Sequence, residues 1–337
     1  MGKMLKEEPI DAVVLWVDGS DPEWRKEKAK YEGTFCEIST DDCRFREWGV
    51  FKYWFRGIEK NLPWIRTVHL VTNGQLPDFI NTECKKLHLV KHSDIMHKEH
   101  LPTLSSRAIE MNIHRIEGLS EQFIYFNDDT YAMRPMKKSD FFRNGLPRYE
   151  GLEALPRAAN GKDTYFHSVY NSISVINMHF RKREVLKRNF FKFYNLRYGA
   201  DVLRNIALLP WDTFASFTNR HLPMPFLKES FREVWEAEPE LCELTSSHRF
   251  KDYTDLNQFV FRYWGIASGK FHPIHTDGKA YHLATADIDV VIDEIMNGRQ
   301  KMLCINDGMG IVDLEAKIRR IVEAFEKRFP EKSSFER

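Results

Sequence analysis

The stretch Ala12-Val-Val-Leu-Trp-Val17, running directly into Asp18-Gly-Ser-Asp21, decides how the first third of the chain is read. An unbroken apolar run rich in valine describes a strand covered on both faces, because a strand with one wet face would alternate. Working outward, Thr67-Val-His-Leu-Val-Thr72 reads as a second strand, Leu87-His-Leu-Val90 as a short third and Gln122-Phe-Ile-Tyr-Phe126 as a fourth. Between the first two, Val50, Phe51, Trp54, Phe55, Ile58 and Leu62 recur at helical spacing until Pro63 stops the helix. Ser105 to Glu117 carries Ala108, Ile109, Asn112 and Ile116 along one side, with Gly118 at its stop. Strands alternating with helices predict an α/β fold: a mostly parallel sheet with helices on both faces.

Beyond residue 130 the pattern is shorter and more mixed. Arg181 to Arg197 reads as a basic helix with Phe190, Phe191, Phe193 and Tyr194 interleaved. Leu209-Pro-Trp211 and His221-Leu-Pro-Met-Pro225 are expected to break regular structure. Thr254 to Trp264 reads as a helix carrying Leu256, Phe259, Val260 and Tyr263. Lys301-Met-Leu-Cys-Ile305 reads as a strand running into Asn306-Asp307-Gly308, and Ile311, Leu314, Ile318, Ile321, Val322 and Phe325 stripe a last helix. The expected organisation is one domain: an α/β part over 1–130, a largely helical part over 131–300, and a return to the core over 301–337.

Composition narrows the classes of function. The 337 residues hold 50 Lys plus Arg against 49 Asp plus Glu, a formal charge of +1 that argues against bulk nucleic-acid binding. Apolar residues at 42% and charged ones at 29% describe a globular chain. No apolar run approaches the ~18 residues of a spanning helix. Met1-Gly-Lys-Met-Leu-Lys-Glu-Glu8 has no apolar core of a secretory signal. Cys36, Cys43, Cys84, Cys242 and Cys304 are odd in number and form no CxxC pair, which disfavours a zinc site or a disulfide framework. A reduced, cytoplasmic protein is the expectation.

In sheets of this kind ligands bind where loops converge at the carboxyl ends of the strands. Three predicted strands end in Asp18-Gly-Ser-Asp21, Asn73-Gly-Gln75 and Asn127-Asp-Asp129. Such residues also make ordinary turns, but three together point to a site. Magnesium takes hard oxygen ligands from one or two carboxylates, which Asn127-Asp128-Asp129 supplies. Asp287-Ile-Asp289 is a rival, read instead as the acidic start of a helix. A diphosphate needs cationic partners, and Arg44, Arg46 and Arg249 are candidates because guanidinium forks suit phosphate oxygens. GxxxxGK[ST], GxSxG and HExxH are absent, and Gly308-Met-Gly310 lacks the third glycine of a dinucleotide loop. His88, His92, His97 and His100 lack ligand spacing on a defined scaffold.

Several segments together resemble one family. Val13-Val-Leu-Trp-Val-Asp-Gly-Ser-Asp-Pro22 is similar to the first conserved region of the Stealth family. Those proteins are bacterial capsular and exopolysaccharide sugar-1-phosphate transferases, related to the animal N-acetylglucosamine-1-phosphotransferase. Arg44-Phe-Arg46 through Asn61-Leu-Pro-Trp-Ile-Arg66, Val71-Thr-Asn-Gly-Gln75 and Phe123-Ile-Tyr-Phe-Asn-Asp-Asp129 resemble the second region. His221-Leu-Pro-Met-Pro225 with Arg249 to Tyr263 resembles the third, and Cys304-Ile-Asn-Asp307 the fourth.

The resemblance implies a GT-A-like nucleotide-sugar-binding core with a helical insertion, acting as one catalytic domain. It implies transfer of sugar-1-phosphate, usually N-acetylhexosamine-1-phosphate, from a UDP-sugar to a hydroxyl of a saccharide or polysaccharide acceptor, with release of UMP. Asp128, Asp129, Asn306 and Asp307 become candidate ligands of Mg2+ (or Mn2+). Trp16, Asp18, Gly19, Asp21, Asn73 and Gly74 become candidate walls of the donor pocket. His221 becomes the candidate base, Arg249 a holder of a phosphate oxygen, and Arg44 and Arg46 substrate contacts. Two rival readings stay open: a glycosyltransferase that releases UDP, and a non-catalytic carbohydrate-binding protein. The Arg181–Arg197 stretch leaves room for peripheral contact with the inner membrane.

Overall fold

The computed structural model describes residues 8–32, 45–157 and 163–337. Its strands, in chain order, are β1 (Ile10–Leu15), β2 (Val68–Thr72), β3 (Leu87–Lys91), β4 (Gln122–Phe126), β5 (Thr130–Ala132), β6 (Phe142–Arg143), β7 (Leu146–Tyr149), β8 (Met224–Leu227), β9 (His272–Pro273), β10 (Gly278–His282) and β11 (Met302–Asn306). The main sheet has the order β3-β2-β1-β4-β8. Its first four strands are parallel, and β8 closes one edge antiparallel to β4. Smaller sheets run β10-β11-β5 and β6-β7-β9.

The valine run behaves as its composition demands. Ala12 and Val14 face one hydrophobic cluster with Val68, Leu70, Ile124 and Phe126. Val13 faces a second with Val71, Val90, Phe123 and Tyr125. Successive residues of a strand point to opposite faces, so both faces must be covered for such a run to be stable. The helices Phe51–Asn61, Ile288–Asn297 and Leu314–Arg328 cover the first face. The helices Ser106–Asn112, Thr164–His179, Lys228–Ala237 and Phe259–Ala267 cover the second.

Three local readings change in the structure. The stretch His221-Leu-Pro-Met-Pro225 does not simply break: it leads into β8, where Pro225 lies opposite Ile124. An edge strand tolerates proline because one side of its backbone needs no partner. The helix expected from Thr254 begins only at Phe259. Residues ahead of it are held as a turn by the buried Asp255, which accepts from Arg107 Nη1 at 3.1 Å and from the Asp252 amide at 2.8 Å. The Asn257 side chain then accepts from the Phe259 amide at 3.0 Å. The middle of the chain is also less purely helical than expected, since it supplies β8 to the main sheet and β6, β7, β9 and β10 to the others. Asp287 caps the helix Ile288–Asn297, accepting from the Asp289 amide at 2.9 Å, as its sequence setting suggested.

The first core is dominated by aromatic contacts. Trp54 is fully buried, with ring centroids 4.9 Å from Phe55 and 5.3 Å from Phe126 in edge-on geometry. Its ring therefore welds the helix Phe51–Asn61 to the centre of the sheet. Trp54→Ala is expected to cost about 3–5 kcal/mol, because the cavity cannot be refilled by neighbours already in contact. The midpoint of a denaturant titration measures it.

Candidate functional site

Parallel strands end on the same side, so the loops after β1, β2 and β4 share one edge. The first two are tied together by one side chain. Gln75 donates from Nε2 to the Asp18 carbonyl at 3.1 Å and to Asp21 Oδ2 at 2.8 Å, while its Oε1 accepts from the Asp18 amide at 3.0 Å. Asp18 accepts from the Ser20 amide and hydroxyl, and Asp21 from the Glu23 and Trp24 amides at the start of the helix Pro22–Glu32. Much of the capacity of these two carboxylates is therefore spent on shaping their own loop. Gly19 donates to the Phe45 carbonyl at 3.0 Å, and a Cβ there would meet that oxygen at 2.2 Å. Gly74 holds φ at +115°, a conformation that suits glycine. Trp16 is a core residue, 8% exposed and stacked on Phe51, rather than an open wall.

The acidic loop after β4 meets the loop after β11 through strand pairing. Asn127-Asp128-Asp129 turns tightly into β5, with the Thr130 hydroxyl donating to the Asn127 carbonyl at 2.8 Å. Thr130 lies opposite Cys304 in the β5–β11 pair, and the Ile305 amide donates to the Asp129 carbonyl at 3.0 Å. His221 arrives by a second route. Because Met224 of β8 pairs with Tyr125 of β4, the chain just ahead of β8 lies beyond the end of β4. His221 Nε2 is consequently 2.7 Å from Asn127 Nδ2 and 3.7 Å from Asp129 Oδ1. Its Nδ1 is 3.4 Å from Asn306 Nδ2.

The site is short of positive charge. Asp129 Oδ2 accepts from the Cys304 thiol at 3.4 Å, but its Oδ1 is buried with no hydrogen-bond partner among the described residues. Desolvation, then the like charges of Asp129 and Glu47, push the Asp128 carboxyl up to about 7. Solvent reaches the outer edge of Asp128, so the crowding of carboxyls is the firmer of these causes. Desolvation also raises the Asp307 carboxyl, against the opposing pull of the Gly308 amide and Arg46. Arg46 Nη1 reaches both oxygens of Asp307, at 3.2 and 3.1 Å. A divalent cation fits at Asp129: its orphaned carboxylate oxygen, with the Asp128 carboxyl beside it, offers hard oxygen donors, whereas Asp307 already carries Arg46. Cys304 is buried with its thiol held well above the usual range by desolvation and then Asp129, so it serves as a donor to Asp129 rather than as a thiolate.

The structure thus gathers Asp128, Asp129, His221 and Asn306, while Asp307, next to Asn306 in the chain, gives its carboxylate to Arg46. Asp18, Gly19, Asp21, Asn73 and Gly74 lie on the neighbouring loops of the same edge. Arg249 is outside the hydrogen-bonded group: its Nε donates to the Pro102 carbonyl at 2.9 Å and its guanidinium lies 4.1 Å from the Tyr31 ring centroid. Arg44 falls outside the described residues, as do Cys36 and Cys43. Reasoning from sequence missed the parts played by Asn127, Gln75 and Glu47. Gln75 had a signal, since it follows Asn73-Gly74 at a strand end. His282, with Nδ1 3.4 Å from Asn306 Nδ2, had none.

Residues 8–36, 44–149 and 293–337 match conserved regions 1, 2 and 4 of the Stealth proteins. The chain belongs to the Stealth family. It is 39% identical over 336 residues to the capsular polysaccharide phosphotransferase WcwK of Streptococcus pneumoniae, covering 98% of both chains. It is 40% identical to the receptor polysaccharide phosphotransferase WefC of Streptococcus gordonii, covering 98% of this chain and 99% of that one. The exopolysaccharide phosphotransferase cps2G of Lactiplantibacillus plantarum is 37% identical, with 97% and 96% covered. Among solved structures, the apo-form glycosyltransferase GlyE of Streptococcus pneumoniae TIGR4 aligns with 96% of this chain and 78% of that one. The TM-score is 0.24 and the identity 11%, and no fold is assigned from that likeness. Among the described residues, no helix is long and apolar enough to cross a membrane.

A pH prediction follows from Asp128. A carboxyl raised from 3.8 to about 7 binds its proton more tightly in the folded chain than in the unfolded one. Its stabilisation is complete below the unfolded value and is lost as pH rises through about 7. In metal-free buffer Asp128→Asn should therefore raise the melting temperature near pH 8, with the gain vanishing near pH 4. Thermal melts of both chains across that range, in the presence of a chelator, measure it.

Proposed function

We propose that this chain transfers sugar-1-phosphate from a UDP-sugar, with an N-acetylhexosamine as the expected sugar, to a hydroxyl of a saccharide or polysaccharide acceptor. UMP is the leaving product and a phosphodiester the product linkage, in capsular or exopolysaccharide synthesis. The support is the full-length similarity to three named polysaccharide phosphotransferases together with one local observation. That observation is the placing of the buried Asp129 Oδ1, which has no hydrogen-bond partner among the described residues, 3.7 Å from the His221 imidazole. A hard-cation site and a proton acceptor side by side are what phosphoryl transfer to a hydroxyl requires.

The bonds balance simply. The acceptor oxygen forms a bond to the sugar-bearing phosphorus, the bridging P–O bond to the uridine phosphate breaks, and the acceptor proton leaves. His221 is the proposed proton acceptor. An imidazole is the side chain suited to accepting a proton from a hydroxyl. Asn127 and Asn306 flank its two ring nitrogens and fix the ring plane. An acceptor hydroxyl taking the place of the Asn127 amide at Nε2 would deliver its proton there. Asp128 and Asp129, with Asp307 and Asn306 beside them, would hold Mg2+ or Mn2+. A cation bound there would neutralise the charge of the diphosphate. Arg46, free to exchange Asp307 for a phosphate oxygen, is a further cationic partner. The loops of Asp18–Asp21 and Asn73–Gln75, locked together by Gln75, support a nucleotide-sugar pocket of the GT-A kind at the carboxyl edge of the sheet.

His221→Ala and Asp129→Asn are each expected to lower UMP release about 10²–10⁴-fold with an unchanged circular dichroism spectrum. A panel of UDP- and GDP-sugars, scored by mass for the released nucleotide, tests the reading. Release of UDP instead would mean glycosyl transfer. Binding of donor without release of any nucleotide, at every acceptor tried, would mean a carbohydrate-binding protein.

A further inference from the structure

The stretch 181–212 departs from the balance of the chain. It holds eight Lys or Arg against three Asp or Glu, where the whole chain has 50 against 49. Its helix Lys182–Phe193 buries Val185, Leu186 and Phe193, and sets Lys182 against Glu153 at 2.9 Å in the interior. Its outward side carries charged residues along the helix and large apolar ones at and beyond its end. Phe191 is 80% exposed and Leu196 is 96% exposed, with Phe190, Leu203, Ile206 and Trp211 each about half exposed or more. A surface that stays in water seldom carries so many large apolar side chains in one stretch without a use for them.

This face is built rather than loose. Asn205 donates from its buried side chain to the Phe193 and Gly151 carbonyls, both at 2.8 Å. The Tyr198 hydroxyl donates to the Lys192 carbonyl at 2.7 Å. The short helix Val202–Ala207 is thereby pinned to the end of the longer one, and Phe190 stacks on Tyr194 at 4.6 Å. The apolar side chains are held out to solvent by a hydrogen-bonded framework beneath them.

The charges around it choose the occupant. Arg181, Arg183, Lys187, Arg188 and Arg197 are exposed. Glu184 is the carboxylate of the helix, and it stands 4.0 and 3.9 Å from Arg181 and Arg188 in loose, exposed ion pairs. Asp201 and Asp212 are the others in the stretch. A net positive, aromatic-bearing face is complementary to an anionic lipid surface. A second copy of the chain fits worse, because it would bring two basic faces together.

We infer that the face formed by the helices Lys182–Phe193 and Val202–Ala207 docks on an anionic bilayer, Phe190, Phe191 and Leu196 entering the headgroup boundary while the arginines and lysines meet lipid phosphates. The inference does not rest on the chemistry proposed for the site. It does bear on where that site sits. Arg220, one residue before His221, lies 3.9 Å from Asp201 and donates to Glu150 at 2.8 Å. Arg204 donates to the Thr218 hydroxyl at 3.2 Å. The docking face and the loop bearing His221 are therefore one framework.

The test is co-sedimentation of the full chain with vesicles of phosphatidylcholine alone or mixed with phosphatidylglycerol. Binding is expected to the mixed vesicles and to weaken as salt is raised. The triple variant Phe190→Ser, Phe191→Ser, Leu196→Ser should lose about tenfold or more in affinity. A second variant, Arg181→Gln with Arg188→Gln, should lose about fivefold per charge with the apolar face intact. Melting temperatures check that both variants are folded. Absence of pelleting, equal pelleting with the two lipids, or wild-type binding by both variants overturns the proposal. So does a dimer on size exclusion that the triple variant converts to monomer, since the face would then belong to a second copy.

Discussion

The pairing of β5 with β11 is the constraint on which the site depends. It opposes Thr130 to Cys304 across a wide span of the chain and binds the Asp129 carbonyl to the Ile305 amide. Without that register the two acidic loops would have no reason to meet. The pairing of β8 with β4 adds the third component in the same way, by carrying His221 past the end of β4. The backbone ladder thus brings the site residues near one another, and their own side-chain contacts then set the details. That is an economical way to hold groups that repel one another, because the ladder holds them near each other whatever the side chains would prefer.

The repulsion itself identifies the site. Crowding by Asp129 and Glu47 raises Asp128, burial raises Asp307 and, with the charge of Asp18, Glu47, and Asp129 keeps an oxygen with no partner among the described residues. A carboxyl network serving stability would have been completed by cations, as Glu336 is by Arg56 at 2.8 Å and Asp11 by Arg66 and His69. The fold pairs those buried acids with cations and leaves Asp128 and Asp129 without an Arg or Lys of their own among the contacts described. Local instability of this kind persists where a ligand relieves it.

What was legible in the sequence divides along a physical line. The strands of the main sheet were legible because each lies between two apolar layers, so composition alone marks runs such as Ala12-Val-Val14 and Phe123-Ile-Tyr125. The acidic loops were legible because small polar residues must follow such strands at the ligand-binding edge. The register was not. Nothing local to Met224-Pro225 announces that it will lie against Ile124 and Tyr125, and two prolines argue the other way until the strand is known to be an edge. Asp255 was invisible for a related reason. Its role in delaying the helix to Phe259 depends on Arg107 and His248, distant in sequence or joined only by the fold. The resemblance of motifs supplied Asp129, His221 and Asp307 as a set; strand pairing brings His221 to Asp129, while the Asp307 carboxylate is held by Arg46.

Arg249 shows where motif reasoning and geometry part. As an arginine in a segment resembling a conserved region, it was a natural partner for a phosphate. In the structure its guanidinium lies over Tyr31 and its Nε is bound to the Pro102 carbonyl, while Arg46, on the strap that follows the first loop, holds Asp307 directly. A planar guanidinium already stacked and hydrogen-bonded makes a positioned wall, whereas one paired to a carboxylate whose own pKa is raised by burial sits in an exchangeable pair. On electrostatic grounds Arg46, rather than Arg249, is the guanidinium that the proposed chemistry would draw on.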